Sequence, residues 1–351
     1  MDFTLILSQY WRPALFSFLL AFSLVKLALK YFPRLGLMDR PHLYGHKRQA
    51  IPYYGGLAIF LSFMAMSLYF VPMSESLAGL LIGATIVFAV GFLDDLLKLS
   101  PWIRLLMQFV AAFVLVIYGI GIFSINLPFL GVISFAEPVW QGFLISSAVF
   151  TILWVMTILN TMNFVDGVSG LNSGVTFVAA MTIFFLSVNP VLHENPQSQV
   201  AVATLAIILA AIALAFNLFD FPRAKILMGD SGSTLFGFLV AVLAIFSGGK
   251  VATAFLVLGI PILDMIWVVL RRVYEKKKFW QGDLKHLHHR LLDIGFSDRK
   301  VVSLYLGITV VLGAAAVLSA SGESKLFMII ALLVLMLVLA SALVLVPSKK
   351  K

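Results

Sequence analysis

A chain of 351 residues that is 61% hydrophobic and 12% charged, with a mean hydropathy of +1.04, cannot hide its apolar surface inside a water-soluble core; soluble domains carry about 25% charged residues. It contains no cysteine, which excludes disulfides, Cys-ligated zinc and thiol nucleophiles. The net charge of +9 points to basic membrane-flanking loops rather than to nucleic acid.

A membrane-spanning helix needs about 20 mostly apolar residues. Eleven stretches qualify: 13–32, 53–71, 77–97, 103–121, 139–160, 174–190, 199–219, 233–248, 251–271, 302–320 and 326–346. Met1–Trp11 carries no basic run before its apolar stretch, so the first stretch reads as a span and not as a cleavable signal. The connections are short except 31–52, 122–138 and 272–301. Within the second of these, Ile122–Ser134 sets Pro128 and Gly131 among alternating apolar residues, which predicts a small hairpin. The expected fold is an all-α polytopic membrane protein of about 11 transmembrane helices, one integral-membrane domain over residues 1–351.

Charge sets the orientation. With the N-terminus outside and the C-terminus cytoplasmic, only Arg12, Lys250 and Lys325 of the 25 Lys and Arg fall outside, as the positive-inside rule requires. That rule ignores acids, yet the acids also sort. Every Asp except Asp2 lands inside, whereas Glu75, Glu137, Glu194 and Glu323 land outside. Short carboxylates gathered on one face suggest a site; the plainer reading of any one of them is a helix cap.

Five segments reach that inner face: 31–52, 94–102, 161–173, 220–232 and 272–301. The first carries Asp39, Arg40, His46, Lys47 and Arg48, then Pro52-Tyr53-Tyr54-Gly55-Gly56; its basic run is topogenic or binds an anion. The third span ends in Asp94-Asp95-Leu-Leu-Lys98. Two adjacent carboxylates at a membrane boundary call for a cation, and on a continuing helix Lys98 reaches either one. The fifth span ends in Asn160, Asn163 and Asp166, spaced to share a helical face, followed by Gly167 and Gly170, which let a ligand approach the backbone. Met228-Gly229-Asp230-Ser231-Gly232-Ser233 precedes a new helix and reads as a magnesium and phosphate cradle of one hard carboxylate, small residues and free amides. The same four letters GDSG surround the nucleophile of trypsin-like proteases, but membrane helices are the wrong setting. In the last loop, Asp283, Lys285, His286, His288, His289 and Arg290 gather. Their spacing fits no common zinc motif and one short basic loop is not a nucleic-acid face; a grip on pyrophosphate or sugar fits the residue types, while taken alone the loop reads first as a solvated basic loop.

These pieces resemble, in order, the polyprenyl-phosphate N-acetylhexosamine-1-phosphate transferases, the family that includes WecA, TagO and, more distantly, MraY. The matching motifs are D-x-P…P-x-x-G-G at 39–56, D-D-x-x-K at 94–98, N-x-x-N-x-x-D-G at 160–167, M-G-D-S-G-S at 228–233, P-x-x-D at 261–264 and H-x-H-H with a following Gly at 286–295. Each is weak alone; six in order along nearly the whole chain are specific.

The resemblance implies a reaction: a polyprenyl phosphate, undecaprenyl phosphate in bacteria, attacks the β-phosphate of a UDP-N-acetylhexosamine, with Mg²⁺ or Mn²⁺ in its place, at the cytoplasmic face of the bacterial cytoplasmic membrane. It implies Asp94, Asp95 and Asp166 as catalytic carboxylates. Asp230 and Asp95 become metal ligands. Lys47, Lys98, Asn163, Gly167, Asn217, His286, His288, His289 and Arg290 become substrate contacts. A homodimer is compatible with the family; nucleic acid is not expected. Ser169 stands where relatives often carry a second Asp, and Asp220 where Asn is frequent, so contacts of those side chains do not carry over. The H-L-H-H order favours a free UDP-N-acetylhexosamine, GlcNAc first, over a UDP-muramyl-pentapeptide. An ion-coupled transporter is the rival from another class; its carboxylates would sit near the membrane midplane, not at helix ends.

Overall fold

The computed structural model describes residues 3–39, 41, 49–127, 131–140, 142–189, 196–248, 251–276, 286–319 and 322–345. Lys47, Asp283 and Lys285 lie outside them. The protein is mostly helical: α1 (Phe3–Tyr31), α2 (Gly56–Phe70), α3 (Glu75–Leu97), α4 (Pro101–Ile117), α5 (Ile145–Val165), α6 (Leu171–Ser187), α7 (Val200–Asp220), α8 (Gly229–Phe246), α9 (Val251–Val257), α10 (Gly259–Tyr274), α11 (Leu287–Asp293), α12 (Asp298–Leu318) and α13 (Gly322–Leu345). Among the described residues, 6 helices are long and apolar enough to cross a membrane, namely α1, α3, α5, α7, α8 and α12; α2, α4 and α6 are apolar but shorter.

Each of the eleven apolar stretches holds helix, with two departures. Residues 251–271 do not form one helix. The chain breaks at Leu258, between α9 and α10, where Gly259 and Pro261 follow; glycine resists helix interiors and proline is tolerated only in a first turn. Residues 139–140 and 142–144 are not helical either. They form a hairpin of β3 (Val139–Trp140) and β4 (Phe143–Leu144), turned through Gly142 at φ +84°, so α5 starts only at Ile145. The hairpin expected before it is present as β1 (Ser124–Leu127) paired antiparallel with β2 (Gly131–Ser134), Ser124 opposite Ser134.

The core lies around α7 and α8, whose apolar windows are 78% and 83% buried, against 22% for α1 and 33% for α12. Lipid offers no hydrophobic drive for helices to associate, so close backbone approach has to hold them. Two glycines provide it. A Cβ on Gly91 of α3 would meet the Ser231 Cα at 2.6 Å, and one on Gly237 of α8 would meet the Leu159 Cα of α5 at 2.9 Å. Trp154 of α5 adds an indole N–H to the Ala241 carbonyl at 3.1 Å, inside the same seam. α3, α5 and α8 therefore meet without room to slide, and the ends of these three helices carry the site.

Candidate active site

α8 begins at Gly229, whose φ of +73° suits glycine, and a Cβ there would sit 2.5 Å from the Asp95 Oδ2. The first amides of a helix have no internal partner, and here Asp95, reaching over from α3, takes them. Its Oδ1 accepts the Asp230 N–H at 2.9 Å and the Tyr53 hydroxyl at 2.9 Å; its Oδ2 accepts the Ser231 N–H at 3.1 Å and the Ser231 hydroxyl at 2.8 Å. A buried carboxylate at a helix N-terminus is well placed against the helix dipole. One expectation changes with this. The amides of Asp230 and Ser231 are spent on Asp95 and do not form an open phosphate cradle. With four hydrogen bonds to Tyr53 and the start of α8, Asp95 anchors that helix.

Asp94, one residue earlier, faces elsewhere because successive residues on a helix are rotated by about 100°. Its Oδ1 accepts the Leu99 N–H at 2.7 Å, and its Oδ2 lies 3.2 Å from Arg104 Nη1. The same Nη1 lies 3.2 Å from the Asp230 Oδ2. Asp230 Oδ1 accepts from the Asn163 amide at 3.1 Å, which also donates to Ser233 at 3.0 Å. The cation between the two carboxylates is thus Arg104, from the first turn of α4. Lys98 was expected to reach them along a continuing helix, but α3 stops at Leu97 and Lys98 is its C-cap, with backbone in the left-handed region at φ 54°. Arg104 was missed because one Arg entering an apolar helix looks like a topology charge. Its partner Asp230 is 126 residues away, and the only local signal is the Ser100-Pro101 helix start.

Asp166 caps α5. Burial, then Asp220, Asp230 and Asp95, push its carboxyl well above the ordinary range, although the residue keeps partial solvent contact. Beside it, Asn217 is not turned to a substrate. Its amide N–H groups go to the Gly170 carbonyl at 3.0 Å and to Ser173 at 2.9 Å, while Asp220 accepts from Ser173 at 3.0 Å. Both residues brace the 167–170 turn.

The histidine segment stands over that turn. A Cβ on Gly167 would come within 2.7 Å of His288 Nε2 and 3.3 Å of His289 Nε2. His288 is 1% exposed and its Nε2 has no hydrogen-bond partner among the described residues. Burial, then His289 and His286, pull it well below the usual imidazole range, so it is neutral at neutral pH. Asp94, Asp95, Asp166, Asn163, Asp230, Gly167 and the histidines thus gather at one end of the bundle. Lys47 lies outside the described residues, and Arg290 sits on α11 just beyond the histidines.

A cavity of about 320 Å³ opens at this end. Asp94, Arg104, Asp230 and Asn163 line its polar part, with Asn160 donating to Gln108 at 2.8 Å on the wall. Val87, Leu105, Leu153, Met156 and Val269 line the rest. Among the described residues no three His, Asp or Glu side chains converge as a ready ligand set. Magnesium is usually held by one or two carboxylates together with substrate phosphates. The hard oxygens of Asp94 and Asp230, and a cation already drawn between them, suit such an ion.

A helical bundle with membrane-length apolar helices and charged groups at the mouth of an apolar cavity defines a class: membrane proteins with a polar site at one end. The sequence comparisons are narrower. Glycosyl transferase family 4 matches residues 77–248. A probable undecaprenyl-phosphate N-acetylglucosaminyl 1-phosphate transferase of Bacillus subtilis is 30% identical over 91% of this chain and 87% of its own length. The decaprenyl-phosphate N-acetylglucosaminephosphotransferase of Mycobacterium tuberculosis is 31% identical over 81% of this chain and 76% of its own length. The undecaprenyl-phosphate alpha-N-acetylglucosaminyl 1-phosphate transferase of Salmonella typhi is 31% identical over 87% and 81% respectively. This chain belongs to glycosyl transferase family 4, among the polyprenyl-phosphate N-acetylhexosamine-1-phosphate transferases.

Proposed function

We propose that this enzyme transfers GlcNAc-1-phosphate from UDP-GlcNAc to undecaprenyl phosphate, giving undecaprenyl-pyrophosphate-GlcNAc and UMP, the first membrane step of a cell-envelope glycan. The observation that carries the reading is a cavity whose mouth is charged and whose walls are apolar. An amphiphile with a phosphate head fits that division, with its head at Asp94 and Arg104 and its chain between α3, α4, α5 and α10. The relatives' names agree on a polyprenyl-phosphate acceptor, undecaprenyl or decaprenyl, and on N-acetylglucosamine phosphate as the group transferred.

In this reading an oxygen of the lipid phosphate attacks the β-phosphorus of the donor, and the bond to the bridging oxygen of UMP breaks. One phosphoanhydride replaces another, so catalysis is mostly positioning and charge neutralisation. Asp94 takes any proton left on the lipid phosphate. Arg104, released from its two carboxylates by the incoming phosphate, pairs with it. Asp230 and Asp94 would hold Mg²⁺, or Mn²⁺ in its place. When bound, the metal would offset charge on the pyrophosphate. Asn163 holds Asp230 in position. Asp166 and Gly167 form the floor under the donor, and His288, His289 and Arg290 close over its pyrophosphate and sugar. The excess of Lys and Arg in the loops at this end supports a cytoplasmic position for it, on the side where nucleotide sugars are found.

The test is turnover. Detergent-purified protein is incubated with undecaprenyl phosphate, Mg²⁺ and a panel of UDP-sugars, and UMP and lipid-linked product are measured. UDP-GlcNAc should give both in equal amounts and only with the divalent ion. Use of UDP-muramyl-pentapeptide alone would move the enzyme to the MraY branch. Solute uptake by proteoliposomes with no lipid-linked product would make it a transporter.

A further inference from the structure

Asp264 carries no part of the acidic mouth described above. It sits in α10, just past the break at Leu258, and is 8% exposed. Its Oδ2 is 3.1 Å from His286 Nδ1, and its Oδ1 accepts the Leu287 N–H at 2.8 Å. One carboxylate thus holds both a ring and an otherwise orphaned amide at the start of α11. That helix has 7 residues, too few to hold its own shape in isolation. His286, 4% exposed, then passes the constraint on. Its ring lies parallel to that of His288, 6° apart in plane and 5.6 Å between centroids, and His288 meets His289 at 4.3 Å. On its other side His286 meets Phe164 at 5.2 Å, two residues before Asp166. The contacts run from α10, through His286, to the two histidines over Gly167 and to the end of α5.

We propose that Asp264 is a positioning residue: through His286 and the Leu287 amide it sets His288 and His289 against the Asp166–Gly167 turn, and so governs affinity for the nucleotide sugar but not for the lipid. This rests on the donor-site reading given above. Removing a carboxylate that orients an active-site histidine costs about 10- to 100-fold in the metal sites where such partners are known, and a misplaced binding group acts through the same loss of geometry.

The experiment uses the full chain in detergent and steady-state kinetics, with UDP-GlcNAc and undecaprenyl phosphate varied separately. Asp264→Ala should raise the KM for UDP-GlcNAc about tenfold, with the KM for undecaprenyl phosphate unchanged and Tm nearly so. Asp264→Asn keeps an oxygen for the Leu287 amide and offers an N–H to His286, which can accept it in its other tautomer; it should recover most of the affinity. His286→Gln removes the ring without touching α10 and should repeat the donor effect, which keeps the test open where Asp264→Ala does not fold. An Asp264→Ala or His286→Gln enzyme with an unchanged donor KM, while His288→Ala and His289→Ala raise it, overturns the positioning role alone. So does a loss shared equally between donor and acceptor that tracks a fall in Tm. If His288→Ala and His289→Ala both leave donor KM unchanged, the donor-site reading falls, and the role of Asp264 falls with it.

Discussion

The two halves of the site are held by different means. The acidic half, Asp94, Asp95, Asp230 and Asn163, is fastened by backbone. Asp95 caps α8, Asp94 caps the turn after α3 through the Leu99 amide, and Gly91 brings the Ser231 backbone against α3. The histidine half stands on a short helix that Asp264 holds through the His286 ring and the Leu287 amide, and it meets Gly167 through buried, stacked side-chain rings. Fixed carboxylates suit a step that needs prepared charge.

Substitution separates the halves. Asp230→Asn or Asp94→Asn should lower UMP release by about 10³-fold or more, in line with removal of a charge-stabilising group, with the folded protein recovered in normal yield by size exclusion. Gly91→Ala should act on the fold itself. Its methyl would meet backbone that cannot yield, and overpacking of that kind costs about 1–3 kcal/mol and occasionally more, read as a lower Tm in detergent. Arg104→Met should cost about 10²-fold in turnover and raise the KM for undecaprenyl phosphate more than that for the donor. Gly167→Ala is the counterpart of Gly91→Ala. The clash is with the tip of a histidine ring, so the fold should hold while donor KM rises about tenfold, the cost of a displaced binding group.

The smallest effect is on pH. Burial pulls His288 below the usual value of 6.5, so its contribution to stability is full above that value. As pH falls below 6.5 the unfolded chain binds a proton that the folded state refuses, and stability drops. Tm measured from pH 7.5 down to 5.5 should fall, and His288→Asn, which does not titrate, should flatten the slope.

Much of this was legible in the residues. Apolar length gave a helix for each of the eleven stretches, and proline with glycine gave the first hairpin. The spacing of Asn160, Asn163 and Asp166 placed that set at a helix end. What stayed hidden depends on partners far away in sequence. That Asp95 caps α8 was hidden, because nothing local says that its lone pairs go to amides 135 and 136 residues on. Arg104 looked like a topology charge, and Asn217 like a substrate contact, because each is defined by a loop or helix that only the fold brings near. The break at Leu258 was written in Gly259 and Pro261, but hydropathy averages over both.

The occupied start of α8 has one more consequence. Many phosphate-binding proteins meet their ligand with backbone amides at a helix end, a fixed and nearly salt-insensitive grip. Here an internal carboxylate already fills that place, so in the proposed reaction the substrates' negative charge would fall to side-chain cations and a divalent ion. Such contacts would be screened at their solvent-exposed edge, and the ionic composition around the membrane, not the rigid frame, would then tune how tightly the proposed donor is held.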